Sequence, residues 1–139
     1  MKAAIIYFTS TGNNEAMANA IAEGAKAAGA EVEVQEVSDA SVDAALENEA
    51  LILGCPAMGD EELDDEMETF FTELEGKLSG KKVALFGSYD WGDGEWMRKW
   101  YDRAKEAGAD LLQDEGLIAN NEPDDDALAA CRDLGAKLA

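Results

Sequence analysis

The amino-acid sequence predicts a doubly wound α/β protein with five parallel strands in the order 2-1-3-4-5 and helices on both faces of the sheet. Three observations lead to this prediction. Short apolar segments alternate with amphipathic helical segments, polar loops follow several of the apolar segments, and the second strand has the alternating pattern of a sheet edge. The length of 139 residues suits one domain, which we predict to span residues 1–139.

The first half of the chain is predicted to contain three strands and a long helix. Ala3–Phe8 and Ala50–Gly54 are continuous apolar runs, as is typical of strands covered on both faces. Glu31–Val37 alternates between apolar and polar residues, which favours an edge strand. A helix is expected from Glu15 to about Gly29, because its apolar residues recur at helical spacing and glycine favours a helix end.

The second half is predicted to contain two more strands and three helices. Lys82–Gly87 is the fourth strand, and Ala109–Ala119 is a weaker fifth strand. The helices are indicated by apolar stripes at Met67, Phe70, Phe71 and Leu74, at Trp96, Met97, Trp100, Tyr101 and Ala104, and at Leu128, Cys131, Leu134 and Leu138. The predicted strand order creates a switch point between strands one and three. A ligand crevice is expected there, at the carboxyl ends of the strands.

The composition excludes several classes of function. The chain has 31 acidic and 11 basic residues, a formal net charge of −20 and no histidine. The lack of histidine excludes catalytic sets and metal sites that require an imidazole. The charge disfavours nucleic acid and anionic membranes as partners. Cys55 and Cys131 fit no paired metal or redox spacing, so we predict two buried free thiols.

The hydropathy pattern predicts a cytoplasmic protein. The N-terminal apolar run is too short for a signal-peptide core, and no segment approaches the roughly 18 apolar residues of a membrane helix. We therefore expect no membrane association, and we expect a monomer.

The first loop of the crevice, Thr9–Asn14, has the residues of an anion-binding turn. It offers hydroxyls, amides, a glycine and the beginning of a helix, whose N–H groups and dipole favour a phosphate. It contains no lysine or arginine, so a monophosphate fits better than a nucleoside triphosphate. The same residues also suit an ordinary turn and helix cap, and composition leaves both interpretations open.

The other two loops contain side chains suited to a planar ligand. In Cys55–Glu62, the thioether of Met58 precedes a glycine and two carboxylates, although such a segment also suits an ordinary turn. In Ser88–Gly94, Tyr89 and Trp91 are large aromatics that a planar ligand would give a stacking partner. No arginine follows the cysteine closely, as a tyrosine phosphatase requires, and no aspartate ends the third strand, as a phosphoacceptor domain requires.

Three motifs together indicate a known family. They are TSTGNNE in the first loop, LILGCPAMGDEE at the third strand and KKVALFGSYDWGDGEWM at the fourth. With these motifs, the sequence resembles the short-chain flavodoxins of anaerobic bacteria along essentially its whole length. The resemblance implies the flavodoxin-like fold and a low-potential one-electron carrier rather than an enzyme. Its non-covalently bound FMN would cycle mainly between semiquinone and hydroquinone, without a metal.

The resemblance also implies roles for individual residues. The first loop would wrap the FMN phosphate, and Met58 and Trp91 would cover the two faces of the isoalloxazine. The carbonyl between Gly59 and Asp60 would turn toward flavin N5 in the semiquinone, and Glu61 would accept a hydrogen bond from N3. The expected cofactor-binding residues are Thr9, Ser10, Thr11, Gly12, Asn13, Asn14, Pro56, Ala57, Met58, Gly59, Asp60, Glu61, Ser88, Tyr89, Asp90, Trp91 and Gly92.

Some positions depart from the family pattern, and an acidic rim surrounds the loops. The departures are Phe8 for tryptophan, Ser10 for glycine, Asn14 for threonine and Asp90 for glycine.

The acidic rim consists of Asp60, Glu61, Glu62, Asp64, Asp65, Asp90 and Asp93. Its charge is expected to disfavour the anionic reduced flavin and to dock basic faces of redox proteins that supply or accept electrons.

Two alternatives remain open from the sequence. One is a small FMN-dependent NAD(P)H or quinone reductase, and the other is a flavin-free signalling domain on the same fold. The sequence has no dinucleotide-binding G-x-G-x-x-G turn and no basic residue in the three loops, which favours a carrier over a reductase.

Overall fold

A parallel β-sheet with helices on both faces forms the centre of the protein. The computed structural model describes residues 2–9, 12–58, 62–90 and 92–137. The strands are β1 (Lys2–Tyr7), β2 (Glu31–Glu36), β3 (Ala50–Gly54), β4 (Lys82–Tyr89), β5 (Asp110–Leu111) and β6 (Leu117–Asn120). The helices are α1 (Asn13–Ala27), α2 (Val42–Ala45), α3 (Asp65–Glu75), α4 (Glu95–Glu106) and α5 (Asp125–Ala136), and Val37–Asp39 forms a 3-10 helix.

The strand order confirms the predicted topology. The sheet runs β2-β1-β3-β4-β5, with β6 also paired to β4, and every paired strand is parallel to its neighbour. The chain therefore passes outward from β1 to β2 and returns across β1 to β3. This reversal places a switch point between β1 and β3, where parallel sheets of this type open a crevice.

The fifth position of the sheet differs from the continuous strand predicted over Ala109–Ala119. There, β5 pairs with the beginning of β4 and β6 with its end. Between them the Leu85 N–H donates to Oε1 of Gln113 at 2.8 Å, and Nε2 of Gln113 donates to the Leu85 carbonyl at 3.1 Å. A side-chain amide thus satisfies the backbone of β4 where the chain leaves the sheet, which removes the cost of unpaired buried groups.

Alternate residues of the central strands enter two separate cores. Ile5 packs on the side of α1 and α5, and Ile6 packs on the side of α3 and α4. Trp96 and Trp100, predicted from their spacing to belong to a helix stripe, are both buried in the second core. At the sheet edge, β2 has the partly exposed pattern that its alternating sequence predicts.

The end of β4 lies two residues beyond the predicted end at Gly87. The fourth strand continues to Tyr89, so Ser88 and Tyr89 belong to the strand and the third loop begins at Asp90. The predicted stripe residue Leu138 lies outside the described residues. In the part of the chain that the structure describes, no helix has the length and apolar character needed to span a bilayer.

Candidate functional site

The carboxyl ends of β1, β3 and β4 bring the three predicted loops together. The Phe8 N–H donates to the Gly54 carbonyl at 2.9 Å, which joins the first loop to the end of β3. The Ala57 N–H donates to the Ser88 carbonyl at 3.0 Å, which joins the second loop to β4. The loops therefore share one edge of the sheet, as the predicted topology requires.

A groove of about 140 Å³ lies between these loops. It is lined by Asn13, Pro56, Ala57, Met58, Ser88, Tyr89, Asp90 and Asn121, and all except Asn121 belong to the set predicted from the sequence. Larger clefts lie elsewhere, such as one of about 350 Å³ between α4 and residues 114–118. We assign the site to the smaller groove because it lies at the switch point, where loops from different strands converge.

The first loop leads into a helix whose N-cap residue is a glycine and so has no capping side chain. Gly12 is the N-cap of α1, with φ of 89°, a left-handed conformation that glycine adopts at little cost. Its N–H donates to Oγ1 of Thr9 at 3.0 Å. By contrast, α3 and α5 are capped by the carboxylates of Asp64 and Asp124. Among the described residues, no side chain caps the first turn of α1, whose acidic residue is Glu15.

Asn14 is buried and uses its side chain inside the protein. Its Nδ2 donates to the Phe8 carbonyl at 3.1 Å, and its Oδ1 accepts a hydrogen bond from the Ser88 N–H at 2.9 Å. The side chain thus fastens the beginning of α1 to the end of β4. A contact between Asn14 and a phosphate stays a prediction.

The second loop is closed at its tip and at its base. The backbones of Met58 and Glu62 exchange two hydrogen bonds, each of 2.9 Å, around residues 59–61. At the base, Sγ of Cys55 accepts a hydrogen bond from the Asp64 N–H at 3.3 Å. Burial raises the pKa of the Cys55 thiol to about 12, with the nearby carboxylates adding to the shift, so the thiol is protonated at neutral pH.

The third loop begins beside a pair of aromatic rings. Tyr89 is half-buried, and its ring centroid lies 5.6 Å from that of Trp96 at an interplanar angle of 49°. Asp90 is exposed at the rim of the groove. The carboxylate of Asp93 lies 2.9 Å from the guanidinium of Arg98, so part of its expected negative charge is offset.

Six of the predicted site residues fall between the described ranges of the chain. Ser10, Thr11, Gly59, Asp60, Glu61 and Trp91 lie outside the described residues. Among the described ones, Gly92 adopts a positive φ of 88° and is exposed. The contacts predicted for all of these residues stay predictions.

Asn121 is a groove residue that the sequence analysis missed. It follows β6 with φ of 58°, and its N–H donates to the Tyr89 carbonyl at 2.6 Å. Asparagine tolerates this left-handed conformation better than most residues. The sequence does contain a signal for this residue. The pair Asn120–Asn121 follows the strand predicted over Ala109–Ala119, so it lies at the same edge of the sheet as the other loops.

Comparisons with known proteins agree with this geometry. The family model described as flavodoxin matches residues 5–134. A flavodoxin from Megasphaera elsdenii is 49% identical over 136 residues, covering 97% of this chain and 96% of the relative. One from Clostridium beijerinckii is 48% identical and covers 97% of both chains. The solution structure of two-electron reduced Megasphaera elsdenii flavodoxin superposes with a TM-score of 0.88 at 48% identity, covering 98% of this chain and 97% of that one.

The fold, the site and these relatives together define a doubly wound electron-transfer protein rather than an enzyme. Its groove occupies the switch point, where open α/β sheets bind their ligands. The chain belongs to the flavodoxin family. Members of this family are electron carriers that bind FMN and transfer electrons to redox partners.

Proposed function

We propose that this chain is a low-potential one-electron carrier that holds FMN non-covalently in the switch-point groove. The observation that carries this proposal is the lining of the groove, in which residues of all three predicted loops converge. FMN supplies the one-electron chemistry when bound, and the protein supplies its position and its electrostatic surroundings. We further propose that residues 1–139 form one domain, because the described helices pack on the two faces of a single sheet.

The donor set of the first loop fits a phosphate monoester. Gly12 lets the chain turn into α1, and among the described residues no side chain caps the N–H groups at the beginning of this helix. Helix amides and the positive end of the helix dipole bind anions without a cation. This matches a loop that contains hydroxyls and amides but no lysine or arginine. Thr9 and Asn13 are the described residues that we assign to this part of the site, together with the predicted Ser10 and Thr11.

The sides of the groove fit a flat, largely apolar ring system. The half-buried Met58 lines it from the second loop, and the half-buried Tyr89 lines it from the end of β4. A polarizable thioether and an aromatic ring both pack well against a planar ligand. Pro56 and Ala57 line the groove beside Ser88, which is 4% exposed. We assign the opposite face of the ring to Trp91, as the sequence motif implies.

The surface charge supports both a low potential and a class of partner. The chain carries a net charge of −20, Asp90 is exposed at the rim of the groove, and Glu62 and Asp65 are exposed between β3 and α3. Negative charge near the cofactor makes the addition of an electron less favourable. The same surface attracts basic faces of redox proteins, with fast, weak and salt-sensitive encounters. Such a charge also disfavours association between copies of the chain, which supports a monomer.

The predicted cytoplasmic location is part of the proposal. Both Cys55 and Cys131 are free and buried. Free thiols are compatible with a reducing compartment.

Spectroscopic titration with FMN tests this function. Apoprotein prepared from the purified chain should bind FMN, and stepwise reduction of the complex should proceed in two resolved one-electron steps. The protein should not oxidise NADH or NADPH in steady-state assays, because the three loops contain no basic residue for a second phosphate. A protein that binds no FMN contradicts the proposal, and rapid nicotinamide oxidation would favour the reductase alternative.

A further inference from the structure

Trp96 makes a buried hydrogen bond to the base of the second loop. Its indole Nε1–H donates to the Cys55 carbonyl at 3.1 Å, across 41 positions of sequence. Trp96 is 2% exposed and Cys55 is fully buried. Cys55 is the first residue after β3, so this bond ties α4 to the point where the second loop leaves the sheet.

The thiol of Cys55 extends this connection to both ends of the loop. Its Sγ donates to the Pro56 carbonyl at 3.4 Å and accepts from the Asp64 N–H at 3.3 Å. Asp64 is the N-cap of α3, where the loop ends. A residue held by Trp96 therefore holds the beginning and the end of the segment that contains Met58.

Trp96 also contacts the other side of the groove. Its ring packs on Tyr89, with the ring centroids 5.6 Å apart. Beneath the same contact, a Cβ placed on Gly87 would lie 2.2 Å from the Cys55 oxygen and 3.0 Å from Cζ2 of Trp96. The indole, the Cys55 carbonyl and the backbone of β4 are thus packed without space for displacement.

We propose that Trp96 is a positioning residue that sets the spacing between the Met58 side and the Tyr89 side of the groove. This inference rests on the proposed function, in which a flavin ring occupies that space. A flavin ring held between two parts of a groove is bound most tightly when the free protein already has the spacing of the complex. Otherwise the two parts must be ordered during binding, which costs free energy. The indole N–H fixes the second loop through Cys55, and the indole ring supports the end of β4, where the third loop begins, through Tyr89.

Trp100 provides a matched comparison. It lies one turn further along α4 and is 1% exposed. Its ring packs edge-on against Phe71 at 5.9 Å, and within the described residues its buried Nε1 has no hydrogen-bond partner. Replacement of either tryptophan by phenylalanine removes a similar volume from the same core. Only the replacement of Trp96 removes a hydrogen bond to the second loop.

The experiment compares Trp96→Phe with Trp100→Phe in the apoprotein and in the FMN complex. We expect Trp96→Phe to weaken FMN binding about 3- to 10-fold, which is the range that one lost neutral hydrogen bond supports. We expect Trp100→Phe to stay within about 2-fold of the wild type. The separation of the two midpoint potentials should change in Trp96→Phe and stay the same in Trp100→Phe, even where urea unfolding gives both variants a similar loss of stability.

If the two variants had equal dissociation constants for FMN and equal midpoint potentials, Trp96 would have no positioning role. FMN binding by the wild type would still support the proposed function. A wild type that binds no FMN would instead contradict the proposed function, and with it the inference. If Trp96→Phe does not fold, benzothienylalanine at position 96 keeps the shape of the indole and removes only the N–H donor. The same analogue at position 100 is its control, and the same outcomes apply.

Discussion

The side-chain oxygen of Asn14 accepts a hydrogen bond from the backbone N–H of Ser88 at 2.9 Å, although the two residues are 74 positions apart. Both are buried, and Nδ2 of the same amide donates to the Phe8 carbonyl. One side chain thus satisfies a donor at the end of β4 and an acceptor in the first loop. The relative position of the two loops depends on this amide.

Replacement of Asn14 by alanine is expected to destabilise the protein by about 1–3 kcal/mol, because it leaves a buried N–H and a partly buried carbonyl without their partner. Urea unfolding of the apoprotein measures this loss. Asn13→Ala is the control, because Asn13 is half-buried and its side chain makes no hydrogen bond within the described residues. Equal losses for the two variants would contradict a special role for Asn14.

The charge of Asp90 gives a second prediction, which concerns the reduction potential of the FMN complex. Asp90→Gly removes an exposed carboxylate from the rim of the groove and should raise the potential of the second one-electron step. A unit charge about 10 Å away contributes roughly 0.4–1.7 kcal/mol between bulk water and an effective dielectric near 20. That range corresponds to about 20–70 mV for one electron.

Asp110→Asn removes the same charge from the opposite edge of the sheet, where Asp110 pairs with Lys82 at the beginning of β4. This control variant should leave the potential close to that of the wild type, because salt screens exposed charges over about 10 Å. Spectroelectrochemical titration of both variants separates the two effects. A potential that stays the same or falls in Asp90→Gly would contradict the electrostatic argument.

The close packing of α1 against α5 gives a third prediction. A Cβ on Gly24 would lie 2.0 Å from the Arg132 carbonyl oxygen, which belongs to the backbone of the opposite helix. Gly24→Ala should therefore destabilise the protein by about 1–3 kcal/mol through overpacking, despite the better helix propensity of alanine. Thermal or urea unfolding provides the measurement.

Gly76→Ala is the matched control for this substitution. Gly76 ends α3 with φ of −74°, and a Cβ there would meet nothing within 4 Å. Because alanine has less conformational freedom in the unfolded chain, this variant should be about 0.4–1 kcal/mol more stable than the wild type. If Gly24→Ala were as stable as Gly76→Ala, α1 and α5 would be able to move apart at little cost in free energy, which would contradict the prediction.

Much of the fold and part of the site followed from local sequence patterns. The apolar runs of β1, β3 and β4 and the alternation of β2 depend on burial, which a linear sequence records directly. The loops at the strand ends are predicted to form one site because parallel topology brings the carboxyl ends of the strands to one edge of the sheet. The residue-level assignments to FMN came from motifs, and they stay predictions where the structure describes no contact.

Other features depend on contacts between distant positions, which a local pattern does not record. Gln113 was unremarkable in sequence, because only the tertiary structure places its amide opposite Leu85. Asn14 was predicted to contact a phosphate, and nothing in its neighbourhood indicated Ser88 as a partner. Trp96 and Trp100 looked alike as core residues, yet only the folded chain distinguishes the indole that reaches Cys55.

The pH dependence of stability gives the last prediction, through an ion pair on the α3–α4 side. The Arg103 guanidinium donates to both carboxylate oxygens of Glu68 at 2.8 Å, and a further hydrogen bond comes from Thr72. The bonds from Arg103 hold the pKa of Glu68 below its ordinary value of 4.5. A lowered folded-state pKa adds stability above the ordinary pKa, and that stability is lost as the pH falls through the folded-state pKa.

Arg103→Met should therefore lower the free energy of unfolding most at neutral pH, and the difference from the wild type should shrink below about pH 4.5. The variant also removes the contact of the guanidinium with the Phe71 ring, 4.9 Å from its centre, which does not titrate, and the hydrogen bonds of Arg103 to Glu75. Lys99→Met removes one positive charge from the same helix, where Lys99 forms an exposed pair with Glu95, and controls for net charge. Urea unfolding between pH 3 and 7 measures the free energy of unfolding of the wild type, Arg103→Met and Lys99→Met as a function of pH. Parallel curves for Arg103→Met and the wild type would mean that Glu68 titrates alike in the folded and unfolded chains, contrary to the geometry of the pair.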